Sequence, residues 1–326
     1  MTILIAEIGG NHLGDIAKCE ELAISAWKAG ADIVKFQALG VGSLVSEKYD
    51  RERFYHFKKF EFSLEDWVEL SEKLTKNYGM NISFSVWDID WVDHLNKYVN
   101  VWKVGSGDIT FRVLIQKLFS TGKDIIYSTA MTSESEVESL IDFNHKNGYL
   151  DRISILQCQA NYNNPEIDEV NISYAESLKE KYGIKVGYSH HATNADLLKI
   201  AVARRLDYVE FHYTEEKKGD FRDLKLSITK DELVELVNFR TLVEKSRGNG
   251  RKAVNSNEAE ERVRFRRGCY ASRGIKKGEK ITIDSISFRR PMLGVASEFY
   301  EDVVGGVAKV DLNKDDNIKY SDIKQI

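Results

Sequence analysis

Eight short apolar runs alternate with longer amphipathic segments between residue 3 and about residue 247. The runs are rich in β-branched residues, and the segments between them have helical periodicity, the pattern expected of repeated βα units. The clearest helix spans 63–79, where Ser63 and Asp66 form a variant of the capping box and Gly79 ends it. A second begins at Ser133 and ends at an Asn-Gly pair. The predicted strands begin at Ile3, Ala31, Asn81, Val101, Asp124, Arg152, Ile184 and Tyr208.

Eight strand–helix pairs in about 250 residues match a (β/α)8 TIM barrel in size and count, whereas a doubly wound open sheet more often has about five to seven strands. We therefore predict a TIM barrel over residues 1–250. The carboxyl ends of its strands are the expected place for the chemistry.

The remainder of the chain has a different pattern. Residues 251–265 are polar and of mixed charge, which predicts a linker. Residues 266–326 contain short strand-like runs separated by turn signals and predict a small β-rich domain. The basic cluster RVRFRRG from Arg262 is short and follows the acidic NEAEE, so a solvated linker is favoured over a nucleic-acid site.

Composition indicates an ordinary soluble protein. The formal net charge is −4 and charged residues make up 30 %, which predicts no nucleic-acid partner. No apolar run reaches the roughly 18 residues that cross a bilayer, and the first residues do not resemble a signal peptide. The three cysteines are far apart and form no CxxC pair. A cytoplasmic protein without membrane association is expected.

Polar side chains gather at the predicted carboxyl ends of the strands. Lys35 and Lys103 end strands two and four, where an unpaired buried ammonium group is costly. An anion between them resolves that cost, and the backbone of GSGD after Lys103 and the Ser128 hydroxyl add phosphate donors. The alternative is structural pairing of the lysines with Glu7 or Asp108.

Two histidines end neighbouring strands. His191 follows strand seven and His212 ends strand eight, so both imidazoles are candidates to bind one divalent ion, with Glu7 as the nearest carboxylate. Of the other histidines outside the strand ends, His56, His94 and His145 are expected to be solvated, and His12 is not.

Six motifs in order resemble those of the sialic acid synthase family: IAEIGGNH, ADIVKFQ, WKVGSGD, IIYSTAM, VGYSHH and VEFHYT. RRGCYASRGIKKGEKIT and FRRP resemble the antifreeze-like SAF domain that follows the barrel in that family. The resemblance covers essentially the whole chain. It implies condensation of phosphoenolpyruvate with N-acetylmannosamine or a related modified hexosamine, giving a nine-carbon 3-deoxy-2-keto sugar and phosphate.

The same resemblance implies roles for individual residues. Glu7 and Asp108, the latter where the family usually has Glu, are the expected carboxylates near the sugar, and they join His191 and His212 as catalytic candidates. The two histidines are the expected ligands of Mn²⁺ or Mg²⁺. The phosphoenolpyruvate set is Lys35, Lys103, Ser106, Ser128 and Ser189, and the sugar set is Tyr162, Asp223 and Arg290. The SAF arginine, Arg290, is expected to act in the partner's active site, which implies a domain-swapped homodimer.

Several positions depart from the family pattern. His190 stands where the family has Asp, Gln159-Ala160 replaces Thr and then Asn or Ser, Phe211 replaces Lys or Arg, and 292–294 alters a turn. These departures predict an unusual sugar substrate. Two alternatives stay open: a condensing enzyme that makes an octulosonate or heptulosonate phosphate, and a non-catalytic sugar-binding relative.

Overall fold

The predicted strands form a closed barrel of eight parallel strands in chain order. The computed structural model describes residues 1–159, 167–219 and 221–325. Its barrel strands are β1 Ile3–Glu7, β2 Ile33–Ala38, β3 Ile82–Val86, β4 Val99–Val104, β5 Ile125–Ser128, β6 Ile153–Cys158, β7 Lys185–His190 and β8 Tyr208–His212. The TIM-barrel prediction is confirmed.

Helices follow the strands and cover the outside of the barrel. Those of the first unit are α1 Ile16–Ala29, α2 Val41–Leu44, α3 Arg51–Lys58, α4 Leu64–Tyr78, α5 Trp91–Leu95, α6 Arg112–Ser120, α7 Glu134–Lys146, α8 Ser173–Tyr182, α9 Asp196–Ala203, α10 Arg222–Leu226 and α11 Lys230–Ser246. Short 3-10 turns cover Gly9–His12, Ser106–Asp108, Leu150–Arg152 and Ile167–Val170.

Helix α4 shows how local sequence sets these elements. Ser63 caps its start and Asp66 completes a capping box, while Gly79 ends it at a φ of 60°, a left-handed conformation that glycine adopts without steric cost. On the buried face of the helix, the ring centroid of Trp67 lies 5.7 Å from that of Phe36, so the helix packs against strand β2.

The barrel interior is apolar at one end and polar at the other. Side chains alternate across each strand, so residues two apart share a face. Ile5, Ile33, Val101, Ile126, Leu156 and Tyr208 form a buried cluster inside the barrel. The inward positions that follow on β1, β2, β4 and β8 carry Glu7, Lys35, Lys103 and Glu210. The apolar layer therefore forms the floor beneath a charged layer at the carboxyl end.

The chain forms two compact units, the first ending at Gly248 and the second beginning at Asn249. The second unit has its own buried core, which includes Cys269, Ile281 and Val295. It contains helix α12 Ser256–Phe265 and two two-stranded sheets, formed by β9 Gly268–Ala271 with β10 Ile286–Arg289 and by β11 Val307–Ala308 with β12 Ile323–Lys324. Further 3-10 turns cover Ile283–Ser285, Ser297–Asp302 and Tyr320–Asp322.

The stretch predicted as a linker, 251–265, is partly helical. Helix α12 begins with a capping box between Asn255 and Glu258, and none of its residues is buried. Local capping signals therefore build a helix where the absence of an apolar period predicted none. The predicted domain boundaries themselves remain a prediction.

In the described part of the chain, no helix is both long and apolar enough to span a membrane. Cys19, Cys158 and Cys269 are buried and none forms a disulfide.

Candidate active site

A cavity of about 1370 Å³ opens at the carboxyl ends of the barrel strands. This is where TIM barrels carry their chemistry. Ten of the predicted site residues line it: Glu7, Lys35, Lys103, Ser106, Asp108, Ser128, Ser189, His191, His212 and Asp223. Tyr162 lies outside the described residues, and Arg290 belongs to the second unit, where its guanidinium lies 5.7 Å from the centroid of the Phe265 ring.

Lys35 is paired with Glu7 at the base of the cavity. The two residues are register partners on β1 and β2, and both side chains are buried. Burial lowers the pKa of Lys35 to about 8. The ion pair between Lys35 and Glu7, which the sequence left open as an alternative, is therefore present in the structure. It does not exclude a role for Lys35 in binding an anion.

Lys103 on β4 contacts side chains from β5 and from β8 across the barrel. Its Nζ donates to Ser128 Oγ at 2.6 Å and lies 3.8 Å from Glu210 Oε1. Ser189 Oγ also donates to Glu210 Oε1, at 2.9 Å. Burial raises the pKa of Glu210, but Lys103, Lys35 and Ser189 lower it more, so the net pKa falls to about 2. Glu210 is thus a second anion balancing the two lysines.

Glu210 is a site residue to which the sequence analysis assigned no role. Its signal was available, because it lies two residues before His212 on the same strand and so faces the same side. The ammonium groups of Lys35 and Lys103 are therefore balanced by the carboxylates of Glu7 and Glu210 in the buried centre of the site.

His191 and His212 lie together above this charged layer. Their ring centroids are 5.2 Å apart and the planes are nearly perpendicular at 80°. His212 Nδ1 is buried without a hydrogen-bond partner among the described residues, and Asp223 Oδ2 lies 3.9 Å from it. Burial lowers the pKa of His212 to about 4, so its imidazole is neutral near pH 7, the form that binds metals.

The imidazole pair fits two ligand positions of a divalent ion, because an orphaned buried ring nitrogen lies beside a second imidazole. Within the described residues, no group of three or more His, Cys, Asp or Glu side chains is arranged to hold a metal.

Cys158 contacts His191 from the end of β6. Its Sγ lies 3.4 Å from His191 Nδ1. Burial raises the pKa of the Cys158 thiol, but His191, Lys103 and Ser189 lower it more, and the net shift is downward. The sequence analysis did not single out Cys158.

Gly9, just after β1, lies close to both Glu7 and His212. Gly9 N donates to Glu7 Oε1 at 2.6 Å, and Gly9 has a φ of 51°. A Cβ atom at Gly9 would lie 3.1 Å from His212 Nδ1. Glycine here allows both the left-handed turn and the close approach to the imidazole.

The DxxxS pattern of Asp223 and Ser227 forms a local hydrogen-bond link. Ser227 Oγ donates to the backbone oxygen of Asp223 at 2.7 Å and accepts from Asn11 Nδ2 at 2.8 Å. Burial raises the pKa of Asp223, but His212 and Arg222 lower it more, so the carboxylate is held ionised beside the imidazole.

Two side chains at the end of β4 face the cavity from a 3-10 turn. Ser106 Oγ accepts a hydrogen bond from Ala130 N at 3.0 Å, which ties this turn to the end of β5. Asp108 Oδ2 accepts from Trp87 Nε1 at 2.6 Å. Burial raises the pKa of Asp108, while Trp87 and Lys103 oppose the rise.

His190 and Phe211 do not line the cavity, which corrects the interpretation of these departures as substrate-related. They are register partners on β7 and β8 and are fully buried outside the barrel interior. His190 Nδ1 lies 3.1 Å from Tyr188 OH on the same face. Alternation along the strand turns Ser189 inward and His190 outward, so His190 is no candidate metal ligand.

Aromatic side chains form the rim of the cavity. Phe221 lies 5.1 Å from Phe60 and 6.5 Å from His56, measured between ring centroids. His12 is buried against Phe62 at 4.6 Å, and burial lowers the pKa of His12 to about 4. The predictions for His56, His94 and His145 are confirmed, since all three are exposed.

Comparison with known proteins identifies the family. The model of the NeuB family matches residues 22–252, and the model of the SAF domain matches residues 266–324. The chain belongs to the NeuB family. The resemblance to sialic acid synthases and the prediction of a C-terminal SAF domain are confirmed.

Relatives of this NeuB-family chain match it over nearly its whole length. An uncharacterized protein of Methanocaldococcus jannaschii is 38 % identical over 99 % of this chain and 94 % of its own length. The N,N'-diacetyllegionaminic acid synthase of Campylobacter jejuni is 30 % identical over 98 % of this chain and 99 % of its own.

A solved structure supports the same assignment. The crystal structure of N-acetylneuraminic acid (sialic acid) synthetase from Leptospira borgpetersenii, in complex with citrate, matches with a TM-score of 0.71 at 26 % identity. The match covers 80 % of this chain and 90 % of the synthetase chain. The chain is therefore related to synthases of sialic-acid-like sugars.

Proposed function

We propose that the protein condenses phosphoenolpyruvate with the open-chain aldehyde of N-acetylmannosamine or a related modified hexosamine, releasing phosphate and a nine-carbon 3-deoxy-2-keto acid. The observation that carries the proposal is the arrangement of Lys35, Lys103 and Ser128 at the base of a cavity that also contains the His191–His212 pair. The relatives named as legionaminic acid synthase and sialic acid synthetase support the same reaction class.

The base of the cavity is suited to phosphoenolpyruvate. The ligand carries a phosphate and a carboxylate, and the two lysines with the hydroxyls of Ser106, Ser128 and Ser189 provide donors for both groups. Because Glu7 and Glu210 already balance the lysines, we expect ligand binding to turn the ammonium groups from these carboxylates toward the ligand. Burial in a low-dielectric site strengthens those contacts and fixes C3 for attack.

A divalent ion, Mn²⁺ or Mg²⁺, is expected on His191 and His212, where it would supply Lewis-acid polarisation of the aldehyde oxygen. Asp223, 3.9 Å from His212 Nδ1, would orient that imidazole, and with Tyr162 and Arg290 it is expected to recognise the sugar.

The protein's carboxylates would handle the protons. C3 of phosphoenolpyruvate forms a bond to C1 of the aldehyde, and the aldehyde oxygen takes up a proton. Water adds to C2 and loses a proton, after which the C2–O bond to phosphate breaks and the C2 hydroxyl becomes the keto group as its proton leaves. Glu7 and Asp108 are the candidates for donating and accepting these protons, because both line the cavity.

A domain-swapped homodimer and a cytoplasmic location complete the proposal. Arg290 is expected to reach the N-acyl group of the sugar in the partner subunit's cavity. The identity of the sugar is not part of the proposal: of the two departures expected next to the sugar, Gln159 is the last described residue before residue 167, and Ala160 lies outside the described residues.

Phosphate release from phosphoenolpyruvate with Mn²⁺ tests the proposal. The aldehydes are N-acetylmannosamine, its 6-phosphate, diacetamido-trideoxy-hexoses, arabinose 5-phosphate and erythrose 4-phosphate. Release with a hexosamine alone is the expected result. Release with only the two short aldose phosphates would favour the octulosonate or heptulosonate reaction, and no release from a folded, metal-loaded protein would favour a non-catalytic sugar-binding relative.

A further inference from the structure

Trp87 and Asp108 are joined inside the cavity although they lie after different strands. Trp87 follows β3, and Asp108 ends the 3-10 turn after β4. These strands are neighbours in the barrel, and both side chains line the cavity and are half-buried. Trp87 Nε1 donates to Asp108 Oδ2 at 2.6 Å, at the short end of the range for such bonds.

The bond holds one oxygen of the carboxylate and leaves the other available. An indole N–H is a donor only, so it can bond Asp108 only through an oxygen lone pair. Asp108 Oδ1 makes no hydrogen bond to the described residues. The turn itself is fixed by Asp108 N, which donates to Gly105 O at 3.0 Å. The carboxylate is therefore anchored through its backbone and through Oδ2.

We infer that Trp87 is a positioning residue for Asp108, holding Oδ2 so that Oδ1 exchanges protons with the reacting oxygens. The inference rests on the proposed function for the identity of the reaction. Trp87 has no role in the mechanism proposed above, and here it acts through Asp108.

The electrostatic surroundings of Asp108 give this unit a measurable signature. Lys103 at the end of β4 is the charged side chain that acts on Asp108, and the indole N–H also favours the ionised carboxylate, while burial favours the neutral acid. Removing the indole N–H takes away one group that favours the ionised carboxylate, so the pKa of Asp108 rises. If ionised Asp108 is required, the acid limb of the pH–rate profile moves to higher pH in Trp87→Phe.

The short contact also limits the length of the carboxylate side chain. With Nε1 and Oδ2 only 2.6 Å apart, an added methylene in Asp108→Glu has to displace the indole or turn the carboxylate away. A smaller ring at position 87 removes that conflict. The size of residue 87 and the length of residue 108 are therefore expected to be coupled.

The first experiment needs no substrate. The difference in tryptophan fluorescence between wild type and Trp87→Phe isolates the Trp87 emission, which is followed from pH 8 downward in wild type and in Asp108→Asn. We expect a titration step in the wild-type difference that is absent in the Asp108→Asn background. A step that persists there, or no step in either, would overturn the pairing.

The second experiment measures turnover of phosphoenolpyruvate across pH in wild type, Trp87→Phe, Asp108→Glu and the double variant, with circular dichroism as the check on folding. We expect the acid limb of Trp87→Phe to move up by about half a pH unit, with KM for phosphoenolpyruvate within about twofold. The double variant should be more active than Asp108→Glu alone. A lower kcat with an unmoved limb and additive effects would show that Trp87 acts only as packing. If wild type does not consume phosphoenolpyruvate, the proposed function fails, while the fluorescence titration still tests the pair.

Discussion

Glu7 and Lys35 lie directly opposite each other on strands β1 and β2 and form an ion pair inside the barrel. Lys103 has an equivalent carboxylate in Glu210 at 3.8 Å. The two lysines are therefore compensated before any substrate arrives. Phosphoenolpyruvate adds negative charge to this balanced site, and the excess is most simply relieved by a proton.

We predict that binding of phosphoenolpyruvate is accompanied by proton uptake, with Glu7 as the acceptor. Glu7→Gln should bind phosphoenolpyruvate at least as tightly as wild type, because no carboxylate at position 7 competes with the ligand for Lys35. The variant should take up fewer protons on binding. Turnover should fall by about 100-fold or more, the usual contribution of a general acid or base. Calorimetry in buffers of different ionisation enthalpy measures the protons, and Glu65→Gln on the exposed face of α4 is the control. Weaker binding by Glu7→Gln with unchanged proton uptake would contradict this role.

His212→Ala tests the imidazole pair. We expect its affinity for Mn²⁺ to fall by more than about 100-fold and its turnover to be lost, while the fold is kept, because the side chain lies at the cavity rather than in the apolar core. His94→Ala, an exposed histidine, should leave both unchanged. Electron paramagnetic resonance counts free Mn²⁺ without relying on activity. Unchanged Mn²⁺ affinity in His212→Ala would remove this residue from the metal site.

His190 should make the protein less stable in acid. Burial, with the nearby His191 and His212, lowers the pKa of His190 to about 3, whereas an unfolded histidine titrates near 6.5. Between these values the unfolded state binds a proton that the folded state does not, so the free energy of unfolding falls as pH falls, by about 1.4 kcal/mol per pH unit for this group.

The matched variant for that effect is His190→Gln. It should be less stable than wild type at pH 8, where the contact with Tyr188 OH at 3.1 Å is lost, but the difference should shrink as pH falls toward 5. Urea unfolding at a series of pH values measures both slopes. His94→Gln serves as the exposed control, and equal slopes for His190→Gln and wild type would show that His190 does not carry this dependence.

Subunit mixing tests the predicted domain swap. His212→Ala and Arg290→Ala are each expected to be inactive alone. If Arg290 acts in the partner subunit's cavity, mixed dimers contain one site with both residues intact, and refolding an equal mixture should recover roughly a quarter of wild-type activity. Recovery requires exchange between subunits, so no recovery in a mixture shown to contain mixed dimers would place Arg290 in its own subunit's site or in none.

The sequence predicted the eight strands and the inward positions of β1, β2, β4 and β8 because alternation and strand ends are local properties. The positions of Lys35, Lys103, His191 and His212 followed directly. It failed where the face of a residue decides its role. His190 and Phe211 lie on the outward face of their strands and Glu210 lies on the inward face. Counting in twos from Ser189 on β7 and from His212 on β8 gives the correct face for all three.

Other features depend on contacts that no local pattern records. The bond from Trp87 to Asp108 and the contact from Cys158 to His191 join residues at the ends of neighbouring strands, and they depend on the register between those strands. The pairing of Lys35 with Glu7 was recognised as an alternative, but charge compensation by Glu210 could be weighed only once the side chains were placed in three dimensions.

The central claim is that this cavity joins phosphoenolpyruvate to a hexosamine aldehyde with cleavage of the C–O bond. Phosphoenolpyruvate labelled with ¹⁸O at the bridging oxygen tests it directly, with mass spectrometry of both products after incubation with Mn²⁺ and the aldehyde that supports turnover. We predict that the label leaves in inorganic phosphate and that the new sugar acid contains three carbons from phosphoenolpyruvate. Label retained in the three-carbon product, with phosphate released unlabelled and no new carbon–carbon bond, would contradict the account.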